Sequence, residues 1–584
     1  MQLKPVTDIL APYGLYSPDL VMLRPDERRY TTLLMQPSGP ISATTERIGA
    51  FDQAEAIAKG RNFLELAIDR DAHLVVTPEY FLPWDAILKA ITDEIVPSDD
   101  ALWVLGSESI TPNELEDFKT RVNGHCLVIY EPLQPLSRSR ELLNPVVIMF
   151  QAVRSDGSKQ LVALIQFKIH ASRDPRFFEE SVLKLGTIIY QFKGIDSPLT
   201  AAVIICADAF ALNELSRNSL SAFNNQATLI HIQLNPNPRH IAYREYRTTT
   251  FSTDANSTNC HIVCLNWAQS IEAYEGSETQ SIPWNNIAGS TWYCPYTECS
   301  FDDGEVLPNH SLGLYYAYMR ERRHALIFHY NEAVFELLVP KLVRMTSAVL
   351  ANKNGPVAKE RYEWKGETKS WESGFFPVDS GFDSLISKIT NAKLALSSVL
   401  LKKNVLDVER VLSLSAGAIS GKEKWYTANN IDSCQIAHDE VVKRITVVQD
   451  TDDIAYNFRH NRFTPLMNIY DEIINQTDWP PQISDVNSQS VISWTKTTPN
   501  FNVLTFDKKP TLIVYLGETP SIRILENTVD MFYHLLRKEG SRYQTRLCIL
   551  YREFGKIKFA PIPAMTRIDD PIEDQTNFTS VTPF

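Results

Sequence analysis

The 584-residue chain contains no uncharged apolar run of about 18 residues, the length that a membrane-spanning helix needs. Residues 1–20 mix charged residues and prolines with isolated apolar ones, so they lack the continuous apolar core of a signal peptide. Cysteine is also scarce, with eight in the whole chain. We therefore expect reduced thiols, a cytoplasmic location and no contact with a membrane.

Positive charge is in deficit as well. The chain has 57 Lys and Arg residues against 70 Asp and Glu residues, a net charge of −13. A surface that binds nucleic acid needs an accumulation of Lys and Arg. We expect no nucleic-acid partner.

The composition favours a globular protein of more than one domain. Hydrophobic residues make up 44% of the chain, which is too long for a single ordinary core. Between residues 346 and 383 the sequence turns polar, with several glycines and prolines. We place one domain at 1–345, a linker at 346–383 and a smaller C-terminal domain at 384–584.

The first domain alternates strand-like and helix-like segments, which predicts an α/β fold. A turn at 155–158 predicts a hairpin between strands at 146–153 and 161–167. The other predicted strands are 31–36, 72–77, 103–107, 126–130, 187–192, 200–206, 227–233 and 261–266, with helices at 50–68 and 209–224. In the C-terminal domain, strand, helix and strand are predicted at 510–515, 522–536 and 547–551, after a helical pattern at 385–413, which favours a smaller α/β or α+β domain.

Three short motifs carry the chemistry, each at the end of a strand-like run. They place Glu79 in Thr-Pro-Glu-Tyr, Lys168 in Phe-Lys-Ile-His and Cys206 in Ile-Ile-Cys-Ala-Asp. A thiol with an ordinary pKa is mostly protonated at neutral pH and needs a base or a nearby cation to act as a nucleophile. The three groups together supply a base, a cation and a nucleophile, which suffice to split a carbon–nitrogen bond through a thioester.

Each residue alone also has an ordinary structural interpretation. Cysteine is often buried as a small apolar residue, and Lys or Glu at a strand end is usually solvated. The joint pattern favours function, because three unrelated coincidences would have to occur in one order.

That order resembles the nitrilase, or carbon–nitrogen hydrolase, superfamily, over roughly residues 25–335. Glu79 matches the family's Pro-Glu motif, Lys168 its Lys-Ile-His segment and Cys206 its nucleophile segment. Weaker similarities are the segments at 104–107, 234–236 and 263–266.

The resemblance implies an αββα-sandwich domain, a homo-oligomer formed by pairing subunits, and no cofactor or metal. It implies Glu79 as base, Lys168 as oxyanion stabiliser and Cys206 as nucleophile. The backbone N–H of Ala207 would complete the oxyanion hole. A second glutamate follows the lysine in this family, and here both Glu179 and Glu180 are candidates.

Two features depart from the family pattern. Ala207 stands where a bulky residue is usual, which implies a wider or different substrate pocket. The stretches between the motifs are long, which suggests an insertion near 114–121 or 132–143. Asp208 after Ala207 resembles the amidase and carbamoylase branches more than the nitrile-cleaving one.

Two other signals are weaker. Cys260, His261, Cys264, Cys294 and Cys299 lack tight Cys-x2-Cys spacing, so we expect core cysteines instead of a zinc site. The segment 380–384, Ser-Gly-Phe-Asp-Ser, is similar to the pyrophosphate loop of amide-forming synthetases but lacks one residue and a second glycine. We expect it to cap the following helix.

The leading hypothesis is thus a cofactor-independent C–N hydrolase of amidase type, acting on a small-molecule amide. The alternative is a nitrilase-like binding or regulatory module, whose C-terminal domain engages a protein partner. A third hypothesis is transfer of the acyl group to an acceptor other than water.

Overall fold

The computed structural model describes most of residues 1–235, 260–374 and 478–563, together with residues 407, 410 and 414. Gaps within these ranges are 26–28, 134–140, 175–176, 212–226, 269–271, 276–277, 282–289, 296–302, 320–322, 342, 346–347, 351–354 and 496–500. The chain divides into two units, Met1–Phe376 and Pro377–Phe584. Three predicted segments lie outside the described residues: the helical pattern at 385–413 apart from residues 407 and 410, most of the helix at 209–224, and the loop at 380–384.

The first unit is mixed α/β. Its strands are β1 Gln2–Pro5, β2 Leu15–Tyr16, β3 Tyr30–Gln36, β4 Ile41–Ala43, β5 Ile48–Ala50, β6 Leu74–Leu82, β7 Leu102–Ser107, β8 Leu127–Tyr130, β9 Pro145–Arg154, β10 Lys159–Phe167, β11 Ile188–Lys193, β12 Thr200–Ile205, β13 Ala227–Ile232, β14 His261–Leu265, β15 Glu272–Glu275, β16 Glu278–Ser281, β17 Thr291–Pro295, β18 Leu314–Met319, β19 Arg323–Phe328, β20 Ala333–Val339, β21 Val343–Met345, β22 Ala348–Leu350, β23 Val357–Lys365 and β24 Ser370–Ser373. Its helices are α1 Val6–Leu10, α2 Gln53–Asp69, α3 Trp84–Thr92, α4 Pro112–Arg121, α5 Glu179–Val182, α6 Asp208–Ala211 and α7 Asp303–Ser311.

Two large sheets organise this unit. One runs in the order β24-β23-β20-β3-β6-β7-β9-β10-β8, with β2 beside β9, and the other in the order β1-β11-β12-β13-β14-β17-β19-β18. Smaller sheets join β16-β15-β4-β5 and β21-β22. The predicted hairpin is confirmed, because β9 and β10 pair antiparallel along their whole length.

Buried side chains connect the two large sheets. Phe150 on β9 packs edge to face on Phe192 of β11, with ring centroids 5.3 Å apart. The Gln166 amide on β10 donates to the Val203 carbonyl at 3.0 Å and accepts from the Tyr190 N–H at 3.1 Å. Since Lys168 follows β10 and Cys206 follows β12, these contacts fix the two strand ends relative to each other.

The helices α2, α3 and α4 share one apolar core with β6 and β7. Their beginnings are stabilised by capping. The Asp52 carboxylate accepts the Glu55 N–H before α2, and Thr111 and Glu114 form a capping box at α4.

Part of the stretch for which the sequence predicts a linker, 346–383, forms regular strands. β23 pairs antiparallel with β20, and β24 pairs with β23. Ala358 and Tyr362 are buried, and the Trp371 indole N–H donates to the Lys59 carbonyl at 3.0 Å. The polar composition of this stretch reflects solvated positions on β24, the outermost strand of the sheet, and on β23 next to it.

The second unit contains β25 Val491–Thr495, β26 Phe501–Leu504, β27 Pro510–Glu518, α8 Ile522–Glu539, β28 Leu547–Glu553 and β29 Lys556–Phe559. These strands form one sheet in chain order. The predicted strand, helix and strand are confirmed, and β27 and β28 pair parallel across α8. In the part of the chain that the structure describes, no helix combines the length and apolarity needed to cross a bilayer.

Candidate active site

Glu79 lies on an irregular section of β6. Thr77 pairs with Leu105 of β7 and Leu82 pairs with Ser107, so four residues of β6 stand opposite Gly106 alone. Tyr80 within this section has φ of +62°, a left-handed conformation that bulky residues rarely adopt. The bulge turns the Glu79 side chain away from the regular alternation of the strand.

Gly106 is required for this bulge. A Cβ at position 106 would lie 2.1 Å from the Pro78 carbonyl oxygen and 2.9 Å from the Glu79 nitrogen. The Gly106 N–H also donates to the Thr77 hydroxyl at 2.9 Å. Only a residue without a side chain permits the backbone of β6 to approach so closely.

The Glu79 carboxylate is fully buried and accepts three hydrogen bonds. Its Oε1 accepts from the Lys168 ammonium at 2.8 Å and from the Asn144 amide at 2.7 Å. Its Oε2 accepts from the Leu234 N–H at 2.7 Å. Residues from both large sheets therefore hold this carboxylate in one orientation.

Lys168 bridges two carboxylates. Its Nζ lies 2.8 Å from Glu79 Oε1 and 2.7 Å from Glu179 Oε2. Glu179 also accepts from the Tyr80 hydroxyl at 2.8 Å and from the Ser172 N–H at 2.5 Å. Glu180 is exposed, so of the two candidate glutamates only Glu179 lies at the lysine.

Cys206 directly follows β12 and has φ of +41°. Its N–H donates to the Ile232 carbonyl at 2.8 Å, and its residue surface is 3% exposed. The two residues after it are also buried. Asp208 Oδ1 accepts from the N–H groups of Ile169 and His170, both at 2.8 Å. The turn that carries Cys206 is thus joined to the segment that carries Lys168.

The surroundings of these groups change their pKa values. Burial alone lowers the pKa of Lys168, but the charges of Glu179, Glu79 and Cys206 outweigh it and raise that pKa well above its usual value. Burial raises the pKa of Glu79, against the opposing effect of Lys168. Burial and the Glu179 carboxylate raise the pKa of Tyr80 well above its usual value. Lys168 and Tyr80 therefore keep their protons, and the neighbouring Glu79 carboxylate has an increased proton affinity.

Ala207 is 1% exposed. None of the hydrogen bonds among the described residues uses its backbone N–H. This donor lies one residue after the thiol, at the first peptide of the turn before α6.

The structure brings Glu79, Lys168 and Glu179 into direct contact, and it joins the turn that carries Cys206 to the Lys168 segment through the Asp208 carboxylate. Sequence reasoning missed Asn144 and the hydroxyl of Tyr80. It also missed the Trp267 indole, whose N–H donates to the Glu79 carbonyl at 2.7 Å. In the sequence, Asn144 is marked only as a polar residue directly before an apolar strand, which does not indicate a role in the site.

Among the described residues, no group of three or more His, Cys, Asp or Glu side chains could hold a metal ion. The Trp292 indole donates to His261 Nδ1 at 3.1 Å, and Cys264 Sγ lies 3.8 Å from His231 Nδ1. Cys299, one of the weighed zinc ligands, lies outside the described residues.

No protein-family model and no curated protein matches the chain. Among solved structures, it is similar to a glutamine-dependent NAD+ synthetase from Acinetobacter baumannii in complex with ADP, at 12% identity and a TM-score of 0.31, over 78% of this chain and 70% of that one. The C. elegans NitFhit protein aligns at 15% identity and a TM-score of 0.25, over 46% of this chain and 56% of that one. A glutamine-dependent NAD(+) synthetase from Cytophaga hutchinsonii aligns at 9% identity and a TM-score of 0.23, over 42% and 37%. At these values the alignments establish neither a family nor a shared fold.

Proposed function

We propose that this protein is a thiol-dependent carbon–nitrogen hydrolase of amidase type, a member of the nitrilase superfamily. The observation that supports it most is the buried Lys168 ammonium, which hydrogen-bonds both Glu79 and Glu179 and whose segment is joined to the Cys206 turn through the Asp208 carboxylate. Three buried charged groups, Glu79, Lys168 and Glu179, carry a desolvation cost that their mutual attraction and the surrounding hydrogen bonds offset, and such clusters are typical of functional sites.

In the proposed first step, Glu79 takes the proton of the Cys206 thiol and the sulfur attacks the amide carbonyl carbon. The new S–C bond leaves a negative charge on the carbonyl oxygen. Lys168 and the Ala207 N–H stabilise that charge. The raised pKa of Glu79 suits this role, because a base with higher proton affinity removes a thiol proton more readily.

Glu79 then gives its proton to the leaving nitrogen, and the C–N bond breaks to leave a thioester on Cys206. In the last step Glu79 takes a proton from water, whose oxygen attacks the thioester carbonyl. Cleavage of the C–S bond releases the carboxylic acid and returns the proton to the sulfur. Glu179 keeps Lys168 charged and in place throughout.

The proposal includes the arrangement that the resemblance implies, an αββα sandwich paired between two subunits, together with a small-molecule amide substrate and a cytoplasmic location. It requires neither a cofactor nor a metal. The C-terminal unit then serves a separate role, for which contact with a protein partner is our proposal.

The test is Cys206→Ala in the full chain, measured for turnover of a panel of small amides and for labelling by chloroacetamide with intact-mass detection. We expect both signals to disappear. Cys548→Ala is the matched control, since Cys548 is buried in the second unit and burial raises its thiol pKa, so that variant should keep both signals.

Turnover that survives in Cys206→Ala would refute the assignment. Wild-type protein that is inert toward every amide, yet purifies in fixed ratio with another chain, would favour the binding-module alternative. Hydroxamate formed with added hydroxylamine, in place of acid, would indicate acyl transfer.

A further inference from the structure

A buried histidine contacts the backbone of the proposed nucleophile, Cys206. His231 on β13 is 0% exposed, and its Nε2 lies 3.0 Å from the Cys206 carbonyl oxygen. The parallel pairing of β12 with β13 sets this contact, because Ile204 is opposite His231 in the register. The proposed reaction assigns no role to this side chain.

The contacts of His231 fix where its proton is. A carbonyl oxygen only accepts hydrogen bonds, so Nε2 must carry the proton that it donates to Cys206. The Gln233 amide nitrogen lies 3.0 Å from Nδ1. That amide is oriented by Asn235, whose side-chain nitrogen donates to the Gln233 oxygen at 3.1 Å. Nδ1 is therefore an acceptor, and the ring is locked in the Nε2–H tautomer.

This hydrogen bond acts on the peptide group that contains the proposed oxyanion donor. The Cys206 carbonyl and the Ala207 N–H belong to one planar trans peptide, so they point in opposite directions. An anchor on the oxygen therefore fixes the direction of the N–H. A bond to the carbonyl also polarises the peptide and makes its N–H a stronger donor.

The peptide needs such an anchor. Cys206 has φ of +41°, a conformation that costs a non-glycine residue about 1–3 kcal/mol and persists only when the surroundings enforce it. The Cys206 N–H to Ile232 bond holds one side of the residue. On the other side, the Cys206 carbonyl accepts from His231 Nε2 at 3.0 Å and from the Ala209 N–H at a longer 3.2 Å.

We infer that His231 is a positioning residue for the oxyanion hole: it holds the Cys206–Ala207 peptide so that the Ala207 N–H faces the developing negative charge. This inference rests on the proposed function. His231 should therefore affect reactions in which an oxyanion forms. It should not affect reactions that need only the Cys206 thiolate.

Two variants of the full chain separate this role from a merely structural one. His231→Leu removes the donor at similar volume, whereas His231→Gln keeps an N–H donor at the position of Nε2. For each we measure kcat and KM with a small amide that the wild type cleaves, the rate constant of Cys206 alkylation by chloroacetamide, and Tm. Alkylation displaces chloride at a saturated carbon and forms no oxyanion.

For His231→Leu we expect kcat to fall about 100-fold, the effect of losing one oxyanion donor, with KM unchanged. The alkylation rate should stay within about 3-fold of wild type, and His231→Gln should recover most of the lost kcat. A kcat near wild type in His231→Leu would overturn the inference. So would a parallel fall in kcat, alkylation rate and Tm that His231→Gln does not reverse. Wild-type protein that alkylates but cleaves no amide would refute the proposed function itself, and the inference with it.

Discussion

At the scale of single residues, the candidate site holds one ammonium, that of Lys168, between the two carboxylates of Glu79 and Glu179. The raised pKa of Lys168 means that it keeps its proton and cannot serve as the base. The raised pKa of Glu79 means that this carboxylate takes a proton more easily than an ordinary glutamate. In the proposed mechanism, the increased proton affinity suits Glu79 to act as base, and the ammonium that keeps its proton suits Lys168 to stabilise the oxyanion.

The role of Glu179 gives a prediction with a natural control. Glu179→Gln removes one of two charges that stabilise Lys168 in a buried site, so we expect a loss of about 3–5 kcal/mol in the free energy of unfolding and at least 100-fold lower turnover. Glu180→Gln changes an exposed neighbour and should stay within about 0.5 kcal/mol of wild type. Urea denaturation measures the stability of each variant, and an amide assay measures its turnover. Equal effects of the two changes would contradict the assignment of Glu179.

Asp208 gives a prediction about pH. Burial raises its pKa from 3.8 to about 7, against the opposing effects of Lys168 and the two backbone N–H groups. Its Oδ2 is buried without a hydrogen-bond partner among the described residues. Because the folded pKa lies above the unfolded one, native protein binds a proton that the unfolded chain has already lost between about pH 4 and pH 7. The contribution of Asp208 to stability therefore decreases as the pH rises through that window.

Asp208→Asn cannot titrate, yet its oxygen can still accept from Ile169 and His170. Relative to wild type, this variant should gain up to about 4 kcal/mol as the pH is raised from 4 to 8. Asp208→Ala loses both acceptor contacts and should be less stable than Asp208→Asn at every pH. Urea denaturation across this pH range is the measurement, and a difference between Asp208→Asn and wild type that does not change with pH would contradict the pKa shift.

Residue types predict part of this site and not the rest. Glu79, Lys168 and Cys206 stand out because each follows an apolar run. The choice between Glu179 and Glu180 depends on α5, a helix of four residues that follows Phe178 at φ of +57°. No periodicity specifies so short an element. Asn144 and Leu234 reach Glu79 only through long-range contacts, which a single sequence does not encode locally.

At the scale of elements, the bulge of β6 is the feature that orients Glu79, the proposed base. The sequence predicts a strand at 72–77 with Glu79 beyond its end, whereas β6 runs from Leu74 to Leu82 with Pro78 inside it. Pro78 argues against a regular central strand. The structure accommodates it by leaving Pro78 unpaired in the bulge, opposite a residue without a side chain.

Gly106→Ala tests this bulge. A methyl group 2.1 Å from the Pro78 carbonyl must displace backbone, so we expect a loss on the order of 3 kcal/mol in the free energy of unfolding. Glu79 should move with the displaced backbone, and turnover should fall more than 100-fold even where the variant remains folded. Gly366→Ala is the control, since nothing lies within 4 Å of a Cβ there. Thermal unfolding and turnover are measured together, and a Gly106→Ala enzyme of normal activity would show that the bulge does not position the base.

The whole molecule consists of two units that each have a core of their own. The apolar cluster around β6 draws its buried members from residues 33–371, and the cluster around β27 draws its members from residues 414–560. The sequence places a linker at 346–383, and composition gives no sign of the strands at 357–373 within it. Ala358, Arg361, Tyr362 and Trp371 are buried there, in a sheet that depends on pairing with the distant strand β20.

This separation predicts how the chain behaves when it is cut. All residues of the candidate site lie within Met1–Phe376, and so do both large sheets. A chain that ends at Phe376 should therefore unfold cooperatively and label at Cys206 at the wild-type rate. A fragment of residues 377–584 should show no labelling of this kind and no amide turnover. Circular dichroism, intact-mass labelling and turnover of both fragments are compared with the full chain. If the fragment 1–376 folds but its Cys206 no longer reacts, the second unit must complete the site, and the proposed chemistry would then belong to the whole molecule.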